Sequence, residues 1–525
     1  MGMARTAGAG VLIVGAGPAG LSAAAGLARY GVACEVVDAR LEPVPGTRCC
    51  TVWQRTLEIF DVLGIPVGPY AARAIPLRRK VFHHRALDEV LVADVTDPAL
   101  PWPEPLLIPQ EQTEAMMTDH LARLGVTVRR GVTATLRDQD AGGVTVELSD
   151  TGGTRTARYD WLVAADGADS RLRERLGVAW PVEPVEGITW VQTDARVGAP
   201  LELGRDEEHL FNTTGGHAGF VPLPDGRHRL FLALSGAGPH DERDLSADEF
   251  AAAAGRAAGV AMTLGETGGA WRTRPYGALA GTFRVGRCLL AGESARVYPL
   301  PVHGFNTGVQ DGFDLAWKLA AVYTGAGPQW LLDTYEQERR PAARTVIDRT
   351  RRVLGFGTFG SSGEAERTLR GRIREKKLEI RTEPAASYRH SRLTADHGGA
   401  AGPPAGEPAP AARFAAAEGD VRLLDLLRDG RWLLLGFAGD DPAAEPVTAL
   451  RRWAGKHEEL IRTAVVASAG AVPPGDLRDI SGEAHRRFGV TEPCAYLIRP
   501  DGYTGLRAPL HDLEPLDRYV TALRG

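Results

Sequence analysis

Three glycines, Gly15, Gly17 and Gly20, stand in G-x-G-x-x-G spacing behind a four-residue apolar run at 11–14. That spacing serves to hold phosphate. The first glycine closes a tight turn, the second lets the backbone approach a pyrophosphate, and the third lets a helix pack on the strand before it. Pro18 and Ala19 lead into a predicted helix over 21–30, where the missing N–H of proline costs nothing and free N–H groups face the phosphates. An acid, Asp38, ends the next apolar segment eighteen residues after Gly20, close to the spacing of a carboxylate that binds a ribose diol. Ala39 and Arg40 follow on the adenosine side. The site is for an ADP-containing dinucleotide: FAD, NAD or NADP.

Two further acids stand at strand ends. Asp166-Gly167 closes an apolar strand at 159–164, a second dinucleotide-contact signal. Gly292-Glu293 closes another at 288–291, ahead of a Pro/Gly loop at 298–306 and a predicted helix over 307–323. Asn306 and Thr307 are candidates to cap that helix. Arg48, ahead of a helix at 51–63, is placed to meet a phosphate or the cofactor ring, and Gln110 precedes a helix running to about 124. His217, Phe220, His228, Trp271 and Tyr276 are candidates to line a substrate-covering sheet. No Cys/His spacing of a metal site occurs, and the pair His83–His84 is expected in a surface or core role.

The elements that must position these residues fall into an α/β order. Residues 9–40 form a βαβ unit, and 68–105 is a Pro-rich excursion with extended pieces at 81–84 and 90–95. Strands are predicted at 126–129, 132–137, 144–148, 188–193, 219–223 and 229–234, with a hairpin turn at Asp225-Gly226. A charged helix over 331–352 is expected to break at Pro341, and a second charged helix is expected over 363–386. Residues 398–411 read as a Pro/Gly/Ala linker, followed by a small unit of alternating strands and helices. The resulting division is 1–67, 106–179 and 283–397 for cofactor binding, 68–105 and 180–282 for substrate, and 412–525 as a C-terminal unit.

With 525 residues the chain is too long for one core. A net charge of −5 gives no reason to expect nucleic acid or an anionic membrane as partner. Five scattered cysteines without C-x-x-C fit a reducing cytoplasm. No signal peptide or membrane-spanning window is expected.

Four motifs in one order carry a resemblance: G-A-G-P-A-G with Asp38, I-P-Q-E-Q-T-E at 108–114, A-A-D-G-A-D-S-R-L-R at 164–173, and G-E-S-A-R with H-G-F-N-T-G-V-Q-D-G-F-D-L-A-W-K-L-A across 292–320. The chain resembles the class A FAD-dependent monooxygenases, the para-hydroxybenzoate hydroxylase-like group, and most of all their actinomycete polyketide hydroxylase branch. That resemblance implies a Rossmann-like FAD-binding domain with an inserted mixed β-sheet substrate domain. It also implies a C-terminal thioredoxin-like domain without C-x-x-C. By the same resemblance Gly15, Gly17 and Gly20 take the FAD pyrophosphate and Asp38 the ribose, with Arg48 near the flavin. Gln110 and Glu293 would lie at the ribityl chain, Asp166 would serve FAD and transient NAD(P)H, and Gly304, Phe305, Asn306 and Thr307 would cap the pyrimidine. His303, Arg296 and Tyr298 are candidates for proton transfer near the flavin.

The chain also departs from the pattern. Glu293 replaces an aspartate, Arg296 a histidine, and Pro301-Val302 stand where the family has glycines. Two functions follow. One is an NAD(P)H-dependent monooxygenase acting on a bulky polyketide-like molecule. The other is a redox-neutral [4+2] cyclase that keeps FAD as a structural element.

Overall fold

The computed structural model describes residues 10–44, 49–84, 89–213, 216–235, 245–268, 270–300, 303–355, 386–398, 401–417, 419–439, 445–468 and 475–525. The first βαβ unit is built as its pattern demands. Strand β1 (Val11–Val14) is buried at every position, and helix α1 (Pro18–Arg29) follows it. Strand β2 is Cys34–Asp38, β3 is Val128–Arg130, β4 is Trp161–Ala164, β5 is Arg284–Val285 and β6 is Cys288–Leu290. They form one sheet in the order β5-β6-β4-β1-β2-β3, parallel except at the β5 edge. Continuous apolar strands are what a parallel sheet covered on both faces requires.

Helix α2 (Gly304–Thr324) lies against α1 at backbone distance. A Cβ at Gly312 would stand 2.2 Å from the Ala19 carbonyl oxygen, so only glycine allows the approach. Helix α3 (Asp333–Gly355) runs unbroken through Pro341, against expectation. Proline at 341 leaves the Gln337 carbonyl without its helical donor, and His390 Nε2 takes that place at 2.7 Å. The predicted helix at 363–386 lies outside the described residues, except for its last residue.

A second sheet has eight strands. Its order is Thr263–Gly265, Ile188–Gly198, His228–Ser235, Gly216–Pro222, Glu207–Thr213, Arg79–His84 and Glu89–Asp94, with Trp271–Thr273 paired on Ile188–Gly198. One face packs under the helix Ala247–Ala258 through Phe250 and Ala254. The other packs on Cys50, Trp53, Leu107 and Leu300, residues outside this sheet that lie on the dinucleotide side.

Residues 413–525 form a mixed sheet in which Trp432–Gly439 pairs with Ile461–Ala467 and Cys494–Ile498. The segment read as a linker is not free. Gly406 N donates to Thr504 O at 2.8 Å, Thr504 N to Glu407 O at 2.9 Å, and Ala409 N to Gly502 O at 2.9 Å. Ala395–Asp396 adds to the same sheet beside Thr504–Pro509. Among the described residues no helix is long and apolar enough to cross a membrane.

Candidate active site

Three loops converge where the parallel strands end, the place where open α/β sheets bind ligands. Gly15 follows β1 with φ +108°, and a Cβ there would lie 2.1 Å from the Ala165 carbonyl oxygen of the loop after β4. The turn at Gly292, after β6, faces α1, where a Cβ would meet that of Ala19 at 2.7 Å. A Cβ at Gly17 would meet no atom within 4 Å, so that side of the turn is open to a ligand. Neither α1 nor α2 has a side-chain cap at its N-terminus. Two helix ends with unclaimed N–H groups thus border one open turn, which suits an anionic dinucleotide.

Asp38 is buried and accepts from Ala16 N and Arg40 N, both at 2.8 Å, which fixes its carboxylate at the end of β2. Ala39 and Arg40 are exposed beside it, and Pro18 is half-buried. Gln110 Nε2 donates to Glu114 Oε1 at 2.7 Å, an i,i+4 pair that orients the amide. Asp166 accepts from Ser170 Oγ at 2.5 Å and Leu172 N at 3.3 Å, and burial pushes its carboxyl above the usual range. Arg173 lies over Trp180, 3.7 Å from the ring centre, and donates to Ser294 O, joining the Asp166 loop to the Gly292 loop. Arg48 and Pro301-Val302 lie outside the described residues.

Glu293 is exposed, and its Oε1 lies 3.1 Å from where a Gly304 Cβ would stand, so the carboxylate meets the N-terminus of α2. Asn306 and Thr307 do not cap α2. Asn306, wholly buried, accepts from Trp53 N at 3.0 Å and Thr56 Oγ1 at 2.8 Å and donates to Thr51 O at 2.9 Å. Thr307 Oγ1 donates back to His303 O at 2.8 Å, and Phe305 is buried. His303 is half-buried at the mouth of α2, edge-on to Tyr298 with ring centres 6.1 Å apart. Burial raises the Tyr298 phenol, although Arg296 opposes it. Arg296 is 1% exposed, and Nη2 donates to Asp311 Oδ2 at 2.7 Å. Burial is the largest influence and works against its charge, but Asp311, Tyr298 and Glu293 together hold the guanidinium above its ordinary value. Arg296 is therefore a fixed cation and not a carrier of protons.

The register of the second sheet sorts the substrate candidates. On the face toward Trp53, Gln192, Phe231, Gly219, Leu210 and Phe82 lie in one row across adjacent strands. Trp190 stacks on Phe231, ring centres 4.7 Å apart, and a side chain at Gly219 would collide with that ring. His217 is on this face, hydrogen-bonded to Asn212, and Trp271 pairs with Gln192 at its exposed edge. Phe220 is not on this face. It is buried against Phe250 on the opposite side, together with His228's side of the strand. Tyr276 belongs to a separate three-stranded sheet near Glu293, where burial, then Glu293, raises its phenol. Sequence reasoning missed Trp190, Phe231, Asp311 and Arg339. Residues 230–234 are apolar at both parities, so alternation does not mark Phe231, and the Asp311–Arg339 contact leaves no sequence signal either.

The family described as FAD binding domain matches residues 9–350, and that described as aromatic-ring hydroxylase, C-terminal, matches 402–525. The 6-methylpretetramide 4-monooxygenase of Streptomyces rimosus is 33% identical over 542 residues, covering 98% of this chain and 93% of that protein. A crystal structure of the flavin-dependent monooxygenase PieE with FAD and substrate superposes with TM-score 0.78 at 26% identity, covering 99% of this chain and 100% of that one. Aklavinone-11 hydroxylase with FAD and aklavinone gives TM-score 0.75 at 26% identity, covering 99% of each chain. An open Gly17 turn between two uncapped helix ends is thus the cofactor cradle of a known fold, and the chain belongs to the FAD-binding family of flavin-dependent monooxygenases.

Proposed function

We propose that this protein is an NAD(P)H- and O₂-dependent FAD monooxygenase that hydroxylates a bulky, polyketide-type aromatic molecule in the cytoplasm. In the overall reaction NAD(P)H and a proton reduce O₂, one oxygen enters a C–H bond of the substrate, and the other leaves as water. Bound FAD supplies the electron transfer and the oxygen activation. The observation that carries the reading is Asn306, which joins the first turn of α2 to Trp53, and Trp53 lies in the apolar cluster of the substrate sheet. One residue thus connects the cofactor cradle to the surface that holds the substrate.

In this reading Gly15, Gly17, Gly20 and the α1 N-terminus hold the pyrophosphate, and Asp38 the ribose. Gln110 and Glu293 would hold the ribityl chain, and Asp166 would serve both FAD and the transient nicotinamide donor. The N–H groups of Gly304–Asn306 favour negative charge on the flavin pyrimidine. Trp190, Phe231 and Leu210 give a flat aromatic substrate an apolar wall and exclude water. His303, at the mouth of α2, is the group placed to move a proton, and Tyr298 and Arg296 act behind it.

The redox-neutral cyclase rests on Glu293 and on the loop at 302–303, of which Glu293 and His303 are described, and the named relatives are oxygenases. The test is anaerobic mixing of the yellow holoprotein with NADPH or NADH and a polycyclic phenol. Bleaching of the flavin, then an O₂-dependent product one oxygen heavier, is the expected result. A flavin that stays oxidised while the substrate isomerises at constant mass contradicts it.

A further inference from the structure

We propose that the C-terminal unit holds the Gly292–Glu293 turn in its flavin-binding position through a buried relay of Tyr503, Tyr388, Arg339 and Asp311, with Tyr388, Arg339 and Asp311 as positioning residues. The relay rests on the reading that places the flavin against Glu293 and Gly304–Thr307.

Asp311 is the inner end. One buried carboxylate receives three donors: Gly292 N at 3.2 Å and Arg296 Nη2 at 2.7 Å on Oδ2, and Arg339 Nε at 2.7 Å on Oδ1. Gly292 has φ +67°, and the next residue is the exposed Glu293. The direction in which Glu293 leaves the turn therefore depends on where Asp311 sits. Arg339 also donates from Nη2 to Thr307 O at 3.4 Å, in the first turn of α2. A single guanidinium so grips α2 at Thr307 and at Asp311, and reaches the Gly292 turn through Asp311.

The outer end belongs to the C-terminal unit. Arg339 Nη1 donates to the Tyr388 hydroxyl at 2.8 Å, and the Tyr388 ring stacks on Tyr503, centres 4.1 Å apart. Tyr388 N donates to Gly406 O at 2.7 Å. Glu338, beside Arg339 on α3, receives two bonds from Arg499 at 2.7 and 2.8 Å, and both side chains are wholly buried. Lys318, Asp314 and Asp501 belong to the same cluster, with Lys318 Nζ 2.9 Å from Asp314 and 2.5 Å from Glu338, and Arg499 Nη2 2.5 Å from Asp501. Buried ions add little to stability once their desolvation is counted. What they fix here is the rotation of α3, and with it the aim of Arg339. The two units also touch at simpler contacts away from the cradle, such as Tyr30 OH to Gly430 O at 3.1 Å.

The test uses full-length holoprotein and two matched substitutions. Y388F removes the hydroxyl that Arg339 reaches and leaves the ring stack, and Y30F removes a hydroxyl at the other contact. FAD dissociation constants from flavin fluorescence, and the flavin midpoint potential, are measured for both. Loss of a hydrogen bond to a charged group predicts FAD binding about tenfold weaker in Y388F, with a shifted potential, and neither change in Y30F. A Y388F protein that loses thermal stability but keeps affinity and potential overturns the relay. E293A separates the two readings. If it leaves FAD affinity intact, the placement of the flavin at Glu293 is wrong. If it weakens FAD while Y388F does not, the placement stands and the relay fails.

Discussion

Replacing Asn306 with alanine removes three hydrogen bonds at once and tests the link between cradle and substrate sheet. The Trp53 N–H and the Thr56 hydroxyl are both buried and lose their acceptor, and the half-buried Thr51 carbonyl loses its donor. Each buried group left unsatisfied costs about 1–3 kcal/mol, and the half-exposed carbonyl can recover a water. The sum is about 2–6 kcal/mol, a large share of the ~5–15 kcal/mol that holds a folded domain. Asn306→Asp keeps the accepting oxygen but sets a buried carboxylate against the Thr51 carbonyl, so it is no milder than alanine. Two measurements follow. Amide hydrogen exchange at Trp53 should accelerate about tenfold to a thousandfold in N306A. Denaturant-driven release of FAD should shift to lower concentration in both N306A and N306D. Unchanged exchange at Trp53 would mean that the bond linking the two units carries no free energy, and the link would be lost with it.

Phe231 and Phe220 lie on opposite faces of one sheet. F231L is expected to raise the KM for substrate severalfold with little loss of stability. F220L is expected to lower the melting temperature with KM unchanged, and steady-state kinetics with thermal denaturation reads both. Burial pushes Asp314 up to about 7, against Lys318. Between roughly pH 4 and pH 7 the folded protein then holds a proton that the unfolded chain has released, so stability falls as pH rises through that window. D314N should flatten the slope of melting temperature against pH there, and an unaltered slope would assign the proton elsewhere. G312A places a methyl 2.2 Å from the Ala19 carbonyl oxygen and should cost more than the ~1–3 kcal/mol of ordinary overpacking, seen as loss of folded holoprotein.

The glycine spacing and the strand-end acids are legible in the sequence because local chemistry demands them. The βαβ turn needs its glycines wherever it occurs, and the structure puts Gly15, Asp166 and Gly292 at neighbouring strand ends as the order implies. The facing of Phe220 is not legible. The sheet is buried on both sides, so apolar residues occupy both parities along Gly216–Pro222 and alternation carries no sign. Pro341 misleads because its remedy, His390, lies about fifty residues on. The strap at 401–411 looks like linker by composition, yet its backbone finds partners at 502–504, which only the fold brings near. The Asp311–Arg339–Tyr388 contacts escape for the same reason: each partner is ordinary alone, and their meaning is in their distances.

The proposed function depends on the cradle's reducing and oxygenating rather than merely binding. Turnover under isotopically labelled dioxygen, with NADPH and a polycyclic aromatic substrate, decides the matter. The expected result is one labelled oxygen in the product for each NADPH consumed. A product formed without NADPH consumption and without label would contradict it.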